Sequence, residues 1–371
     1  VGVEKMKKPL LMIPGPAEVS ERVLKVLSKP IVPHYGEKWK PLYDETIKLL
    51  KRLFKTEGDI FIIPGAGSLA IEISAINVID KEMKVLIPSN GYFGERLFDI
   101  FSPHGEVEII RFEWGEDLNI NKIREKVEED PKIKAIVVVH VETSTGVVNP
   151  IEKISQIAYD NDLIFIVDGI SSIGGIPFKM DEWHVDIAFV GPQKCLGAIA
   201  GITPMAVSQK FWEYMKKRRT MVPSWYLSLE TWKNYVKEEP WHPYPSTLPS
   251  PLILALREAL IEIFEEGLER RFERHRKTAK IIREGLSRLG FKVVAREDNA
   301  AATVTVAATP NNVNPSTLIK KIEENHGILI SRGLGKFENK WIRIGHMANT
   351  AKPQYAMNII KAIEVELSKL K

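Results

Sequence analysis

The chain has 371 residues, 44% hydrophobic and 27% charged, which fits an ordinary globular protein with ample length for a large core. A formal net charge of +4, with no dense basic stripe and no aromatic–basic interleaving, gives no footprint for nucleic acid. No stretch approaches the roughly 20 apolar residues of a membrane span, and a single cysteine, Cys195, excludes an internal disulfide and suits a reducing compartment, the cytoplasm.

Residues 1–16 form an N-terminal arm. Its short apolar stretch is broken by Pro9 and Pro14, which is not the pattern of a secretory signal. Ser368-Lys369-Leu370 resembles a peroxisomal address, but such an address is read only at a terminus and Lys371 follows it. From Tyr43 the pattern alternates. Tyr43–Phe54 has apolar residues at Ile47, Leu50 and Phe54 and predicts a helix, and Ile60–Ile63 predicts a strand closed by Pro64 and Gly65. Helix Ser68–Val78, strand Val85–Ile87, helix Tyr92–Phe101, strand Val107–Ile110 and a helix near Ile120–Val127 follow. Ala135–Val139 predicts a strand and Ile151–Tyr159 a helix. Leu163–Asp168 and Val185–Val190 have the continuous apolar character of buried parallel strands. This rhythm predicts an α/β fold, a mostly parallel central sheet flanked by helices.

Lys216-Lys217-Arg218-Arg219 reads as a solvated helix end, and past Thr220 the rhythm stops. Residues 221–251, with Trp225, Trp232 and Trp241 among Pro240, Pro243, Pro245, Pro249 and Pro251, predict an irregular segment that lines a site or an interface. Leu252 to Leu289 predicts a long helical region broken at Gly267, with the mixed charges of 269–284 on its wet face. Strands Thr303–Val306, Ile328–Ser331 and Trp341–Ile344, with helices Pro315–Glu324 and Pro353–Leu367, predict a smaller α+β domain. The expected division is the arm, a large domain 17–266 and a C-terminal domain 267–371.

Asp168 ends one buried strand, and Lys194 follows another in Gly191-Pro192-Gln193-Lys194. In an open α/β sheet the carboxyl ends of the strands line the ligand crevice, so a carboxylate and an amine arrive at one place. Pyridoxal phosphate (PLP) requires that pair. The lysine forms a Schiff base with its aldehyde, and the carboxylate keeps its ring nitrogen protonated so that the ring acts as an electron sink. Taken singly, Lys194 also reads as a solvated loop residue and Asp168 as a turn former.

Pro64-Gly65-Ala66-Gly67-Ser68 joins a strand to a helix, where glycines admit an anion and helix N–H groups point outward; it also reads as a tight turn without a ligand. His140-Val141-Glu142-Thr143-Ser144-Thr145-Gly146 brings hydroxyls to the same edge, for a cofactor ring oxygen or simply for a turn. Tyr92 or Phe93 reads as a stacking ring or as core. Arg343 lies inside an apolar strand and needs a partner, either a substrate carboxylate or a structural ion pair.

In order and spacing these motifs resemble the class V, fold-type I PLP-dependent aminotransferases, and within them the serine–pyruvate/alanine–glyoxylate group. The resemblance covers nearly the whole chain. It runs from Pro14-Gly15-Pro16 through Gly67-Ser68, Asn90-Gly91, Glu142 to Gly146, and Asp168 with Ser172 and Gly174-Gly175. Gln193-Lys194, Tyr244-Pro245-Ser246-Thr247 and Arg343-Ile344-Gly345 complete it. The resemblance implies Lys194 as the Schiff-base lysine and proton carrier, and Asp168 as the partner of the ring nitrogen. It implies phosphate contacts from Ala66, Gly67, Ser68 and Gln193, a stacking ring at Phe93 and a hydroxyl on the ring oxygen at Thr143. Tyr244 and Thr247 would reach the phosphate in the neighbouring subunit, which implies a homodimer, and Arg343 would hold the substrate carboxylate. His34-Tyr35-Gly36 lies where the family's N-terminal segment closes over the site. One cationic clamp favours small neutral substrates: serine or alanine as amino donor, pyruvate or glyoxylate as 2-oxo acceptor, with ping-pong kinetics. The rival readings are another class V enzyme, desulfurase-like or lyase, and a non-catalytic nucleotide-binding α/β protein built on the Gly67 loop. No metal, nucleic-acid or membrane partner is expected.

Overall fold

The computed structural model describes residues 9–370, so the first eight residues of the arm and Lys371 lie outside the described residues. The central sheet has seven strands: β1 (Asp59–Pro64), β2 (Lys84–Ser89), β3 (Glu106–Arg111), β4 (Ile133–Val139), β5 (Ile164–Asp168), β6 (Ile187–Phe189) and β7 (Ile202–Val207). Their order is β1-β7-β6-β5-β4-β2-β3. β2, β3, β4, β5 and β6 pair in parallel, whereas β7 runs antiparallel to both β6 and β1. The sheet is therefore mostly parallel with one reversed strand. Nothing in the sequence reading marks β7. It is buried along its length, but Thr203 and Pro204 interrupt its apolar run, and a central strand rarely carries proline.

Helices α1 (Lys40–Phe54), α2 (Gly67–Val78), α3 (Tyr92–Phe101), α4 (Ile120–Glu129) and α5 (Ile151–Asp160) alternate with the strands and agree with the predicted helices within a few residues. α2 is buried on nearly every side, which explains its almost wholly apolar sequence. The strands supply the centre of the core, with Ile136, Val138, Phe165, Val167 and Phe189 inaccessible to solvent.

The Trp- and Pro-rich segment is not irregular throughout. It contains α6 (Leu229–Glu238), whose start is set by Ser228, which accepts a hydrogen bond from the Thr231 amide. Trp232 on that helix is buried against Phe61 with ring centroids 6.4 Å apart. The stretch from Ser224 to Glu239 holds no proline, which leaves room for the helix. Next come α7 (Ser250–Glu266) and α8 (Leu268–Arg288), separated by Gly267 at φ 83°, as the break at that glycine predicts. The charges after 269 are not all on a wet face, because Arg271 is buried.

The C-terminal part has an antiparallel sheet of β8 (Lys292–Val293), β9 (Val304–Ala308), β10 (Ser331–Arg332) and β11 (Trp341–Gly345), in the order β8-β9-β11-β10. With α8, α9 (Pro315–His326) and α10 (Pro353–Leu370) it encloses a second apolar core around Ile282, Leu286, Leu318, Ile342, Ile344 and Ile359. Met12, from the segment before Pro14, belongs to this second core, and its carbonyl accepts the Gly345 amide at 2.8 Å. No helix among the described residues is long and apolar enough to cross a membrane.

Candidate active site

The site lies where β1, β2, β4, β5 and β6 end. Asp168 is the last residue of β5, in register with Val139 of β4 and Phe189 of β6. It is buried, and its Oδ1 accepts the Ile170 amide at 2.9 Å. Burial pushes its carboxyl up to about 7 against the pull of the Ile170 bond, and the charge of Glu142 adds to the rise. The charges of Lys194 and Arg96 pull it down only weakly, and no ion pair to Asp168 forms among the described residues, so the carboxyl is suited to receive a cation.

Lys194 sits in a wide, π-type turn, Pro192–Leu196, at a non-helical φ −105°, ψ −119°. Such turns are frequent at functional sites. Its amine donates to the Pro14 carbonyl oxygen. A Cβ on Gly15 would stand 2.5 Å from Lys194 Cδ, so glycine is needed for the Pro14 segment to pass that close. Burial lowers the Lys194 amine to about 8; the nearby Arg343 charge works in the same direction, while Cys195 and Asp168 oppose it.

The Gly67 loop opens α2. Ala66 caps that helix without a side-chain hydrogen bond, and Ala66 and Ser68 are exposed. The loop is fixed from behind by β7, since Gly65 N donates to Gly201 O and Thr203 Oγ1 donates to Gly65 O, each at 2.9 Å. A Cβ on Gly67 would come 2.3 Å from Ile170 Cδ1, so the loop packs on the turn that follows Asp168. Half-buried Gln193 stands beside Lys194, with its backbone carbonyl accepting the Ala17 amide at 2.7 Å.

Thr143 is buried in the turn after β4, and half-buried Phe93 opens α3. The two are joined by a residue to which the sequence reading gives no role of its own. Glu142 accepts the amides of Phe93 (3.0 Å), Gly94 (3.1 Å) and Ser144 (3.1 Å) and the Ser144 hydroxyl (2.5 Å). Ser144 Oγ in turn accepts the Tyr92 amide at 2.9 Å. Glu142 and Ser144 thus cap α3 from another part of the chain, a charge-to-dipole match that anchors Phe93. No local pattern reveals this, because cap and helix are far apart in sequence.

Arg343 is the middle residue of β11 and is half-buried, with Nε donating to Arg332 O at 2.7 Å. No carboxylate pairs with it among the described residues. Burial lowers its guanidinium to about 10, and Glu142 opposes the shift from a distance. Tyr244 is wholly buried, with its hydroxyl accepting from Trp39 Nε1 at 2.7 Å and donating to the His34 carbonyl. Thr247, three residues on, is exposed. The His34 ring lies 5.9 Å from that of Tyr244 and 5.3 Å from that of His242.

The family profile described as Aminotransferase class-V matches residues 18–337. The chain belongs to the class V aminotransferases. It is 36% identical to an uncharacterised aminotransferase of Methanocaldococcus jannaschii, over 98% of this chain and 94% of that one. It is 33% identical to the serine–glyoxylate aminotransferase of Methylorubrum extorquens, over 91% of this chain and 86% of the relative. Among solved structures, the alanine–glyoxylate aminotransferase of a Nostoc species superposes with a TM-score of 0.93 at 31% identity, covering 99% of this chain and 97% of that one. The cofactor of this class V aminotransferase is pyridoxal 5'-phosphate. The residues suit that group: a buried carboxyl with no ion pair among the described residues, a neutralisable amine, and a helix N-terminus without a side-chain cap meet at one sheet edge.

Proposed function

We propose that this aminotransferase moves an amino group from a small neutral amino acid, serine or alanine, to a small 2-oxo acid, pyruvate or glyoxylate, in two half-reactions. The observation that carries this reading is Arg343, a half-buried guanidinium without a carboxylate partner among the described residues, whose charge reaches Lys194. Its planar fork suits the carboxylate shared by every donor and acceptor of this kind. The other guanidinium that acts on Lys194, that of Arg96, lies 5.1 Å from the Phe93 ring and 5.2 Å from the Tyr92 ring. With Arg96 lying over these rings, one clamp, Arg343, is assigned to the single carboxylate of a small neutral substrate.

Bound at this edge, PLP supplies an electron sink for the pair left when Cα gives up its proton. Arg343 binds and orients the substrate by its carboxylate. Lys194 Nζ would take the proton from Cα of the donor and, in the second half-reaction, deliver one to Cα of the acceptor; an amine lowered to about 8 is partly neutral near physiological pH, which a base requires. The Asp168 carboxylate would hold the protonated ring nitrogen. Ala66, Gly67 and Ser68 at the start of α2, with Gln193, would hold the phosphate. Phe93 would cover one ring face, and Thr143 would meet the ring oxygen.

A desulfurase needs a reactive thiol, and Cys195 does not offer one. Its Sγ is buried, contacts Ser171 O at 3.3 Å, and is pushed up to about 12 by burial. Exposed Thr247, with Tyr244 packed behind it, is assigned to the phosphate of a neighbouring subunit, and the working unit is a homodimer. The division into arm 1–16, large domain 17–266 and small domain 267–371 is supported by the positive φ of Gly267 and by the separate cores around the central sheet and around Ile342, with a third apolar cluster, including Val141, Cys195 and Trp341, joining the two parts. A cytoplasmic location accords with the single buried thiol.

A donor-by-acceptor activity panel tests this function. Serine or alanine with glyoxylate or pyruvate should give the highest kcat/KM. Preference for a dicarboxylic donor, or release of sulfur or ammonia without a keto acid acceptor, would overturn it.

A further inference from the structure

We propose that Glu266, Arg271 and Arg274 form a clamp that fixes the spacing between the Lys194 turn and the Arg343 strand, making them positioning residues for both the amine and the carboxylate fork. This rests on the roles given above to Lys194 and Arg343.

The clamp stands at the junction of α7 and α8. Glu266 is the last residue of α7, Gly267 turns the chain, and Arg271 and Arg274 lie about a turn apart on α8. Glu266 Oε2 accepts from Arg271 Nη1 at 2.8 Å and from Arg274 Nη2 at 2.9 Å, and its Oε1 accepts from Arg274 Nε at 2.6 Å. Each arginine then reaches a different part of the site. Arg271 donates from Nη2 to the carbonyl of Cys195, next to Lys194, at 2.6 Å, and from Nε to the carbonyl of Gly174 at 2.8 Å. Arg274 donates from Nη1 to the carbonyls of Ala348 (2.9 Å) and Ala351 (2.6 Å), in the turn just after β11.

His275 completes the hold. Its Nε2 accepts the Ala348 amide at 3.1 Å, which makes Nδ1 the donor to the Arg271 carbonyl at 2.8 Å. The two clamped turns also touch, since a Cβ on Gly197 would stand 3.0 Å from Ala348 Cβ.

Stability alone does not account for this arrangement. The Arg271 side chain is only 5% exposed, and the other buried positions of α8 include the apolar Phe272, Ala279, Ile282 and Leu286 beside His275 and Thr278. A buried ion pair is commonly no more stabilising than apolar residues of the same volume. What a guanidinium adds is direction: rigid donors that tie backbone carbonyls of separate turns to one carboxylate. Lys194 is faced by Asp168 from β5, Arg343 from β11, Arg96 from α3, Cys195 from its own turn, and the Pro14 carbonyl. Loosening the Cys195 carbonyl therefore acts on Lys194 through hydration, because burial is the main cause of its low value.

Two variants separate the ends of the clamp. In Arg271→Met, the pH midpoint for capture of added PLP by the lysine of the PLP-free protein should rise by about 1 unit as water reaches the amine, with alanine affinity of the loaded enzyme, read by titrating its visible band, nearly unchanged. In Arg274→Met the midpoint should stay, and alanine affinity should fall about 10-fold, while affinity for a primary amine without a carboxylate is kept. Lower melting temperatures with neither readout moved, or the two effects exchanged between the variants, would overturn the clamp. If Arg271→Met does not fold, Arg271→Gln, which keeps a polar donor at that position and leaves the Glu266–Arg274 pair intact, takes its place. A wild-type enzyme without a PLP band would instead refute the role of Lys194, a separate failure.

Discussion

Replacing Asp168 by asparagine should stabilise the PLP-free protein in a pH-dependent way. Burial raises this carboxyl from 3.8 to about 7, so between those values the folded chain binds a proton that the unfolded chain has released. Unfolding then releases that proton, and stability falls as pH rises through this window. At 1.36 kcal/mol per unit, this carboxyl costs the folded state about 4 kcal/mol at pH 8, where it is ionised, and about 2 kcal/mol at pH 5, where it must take up a proton. Asparagine keeps an oxygen for the Ile170 amide and carries no charge. The stability advantage of Asp168→Asn over wild type should therefore widen by about 2–3 kcal/mol from pH 5 to pH 8, read from urea unfolding of the PLP-free proteins. Adding PLP at pH 8 should reverse the order, because only the carboxylate gains a cationic partner. An advantage that stays constant between the two pH values would refute the reasoning, since the carboxyl would then not be held protonated by burial.

Lys194→Ala should abolish transamination and the borohydride-reducible visible band; turnover above a trace would remove Lys194 from its role. Cys195 should resist thiol reagents at pH 8 in the folded protein and react on unfolding, because burial holds its thiol up to about 12; rapid labelling of the native enzyme would reopen a desulfurase reading. Mixing Lys194→Ala with a Tyr244→Phe/Thr247→Ala double variant should restore activity in heterodimers with one intact site. Verified heterodimers without recovery would place Tyr244 and Thr247 in their own subunit's site.

Sequence reasoning succeeds here where chemistry follows the ends of strands. Asp168 and Lys194 close apolar runs, and Gly67 opens a helix, so local pattern alone sends them to one edge. Arg343 is legible as a charge inside an apolar strand. Glu142 is not, because its meaning depends on the amides of Phe93 and Gly94, brought to it only by the fold. Arg271 looks like one more charge on a wet helix until the helix is docked and Cys195 and Gly174 lie beneath it. β7 escapes notice because Thr203 and Pro204 interrupt its apolar run and Pro204 argues against a central strand. The hydroxyl contacts of Tyr244 with Trp39 and the His34 carbonyl are not legible either, because those residues are far from it in sequence.

The two half-reactions, followed separately by absorbance, test the central claim most directly. Alanine or serine added alone to the PLP-loaded enzyme should convert the visible band in stoichiometric amount and release one keto acid per site, and glyoxylate or pyruvate should then restore the band. A band that ignores both amino acids, or a conversion that requires donor and acceptor together, would contradict the account.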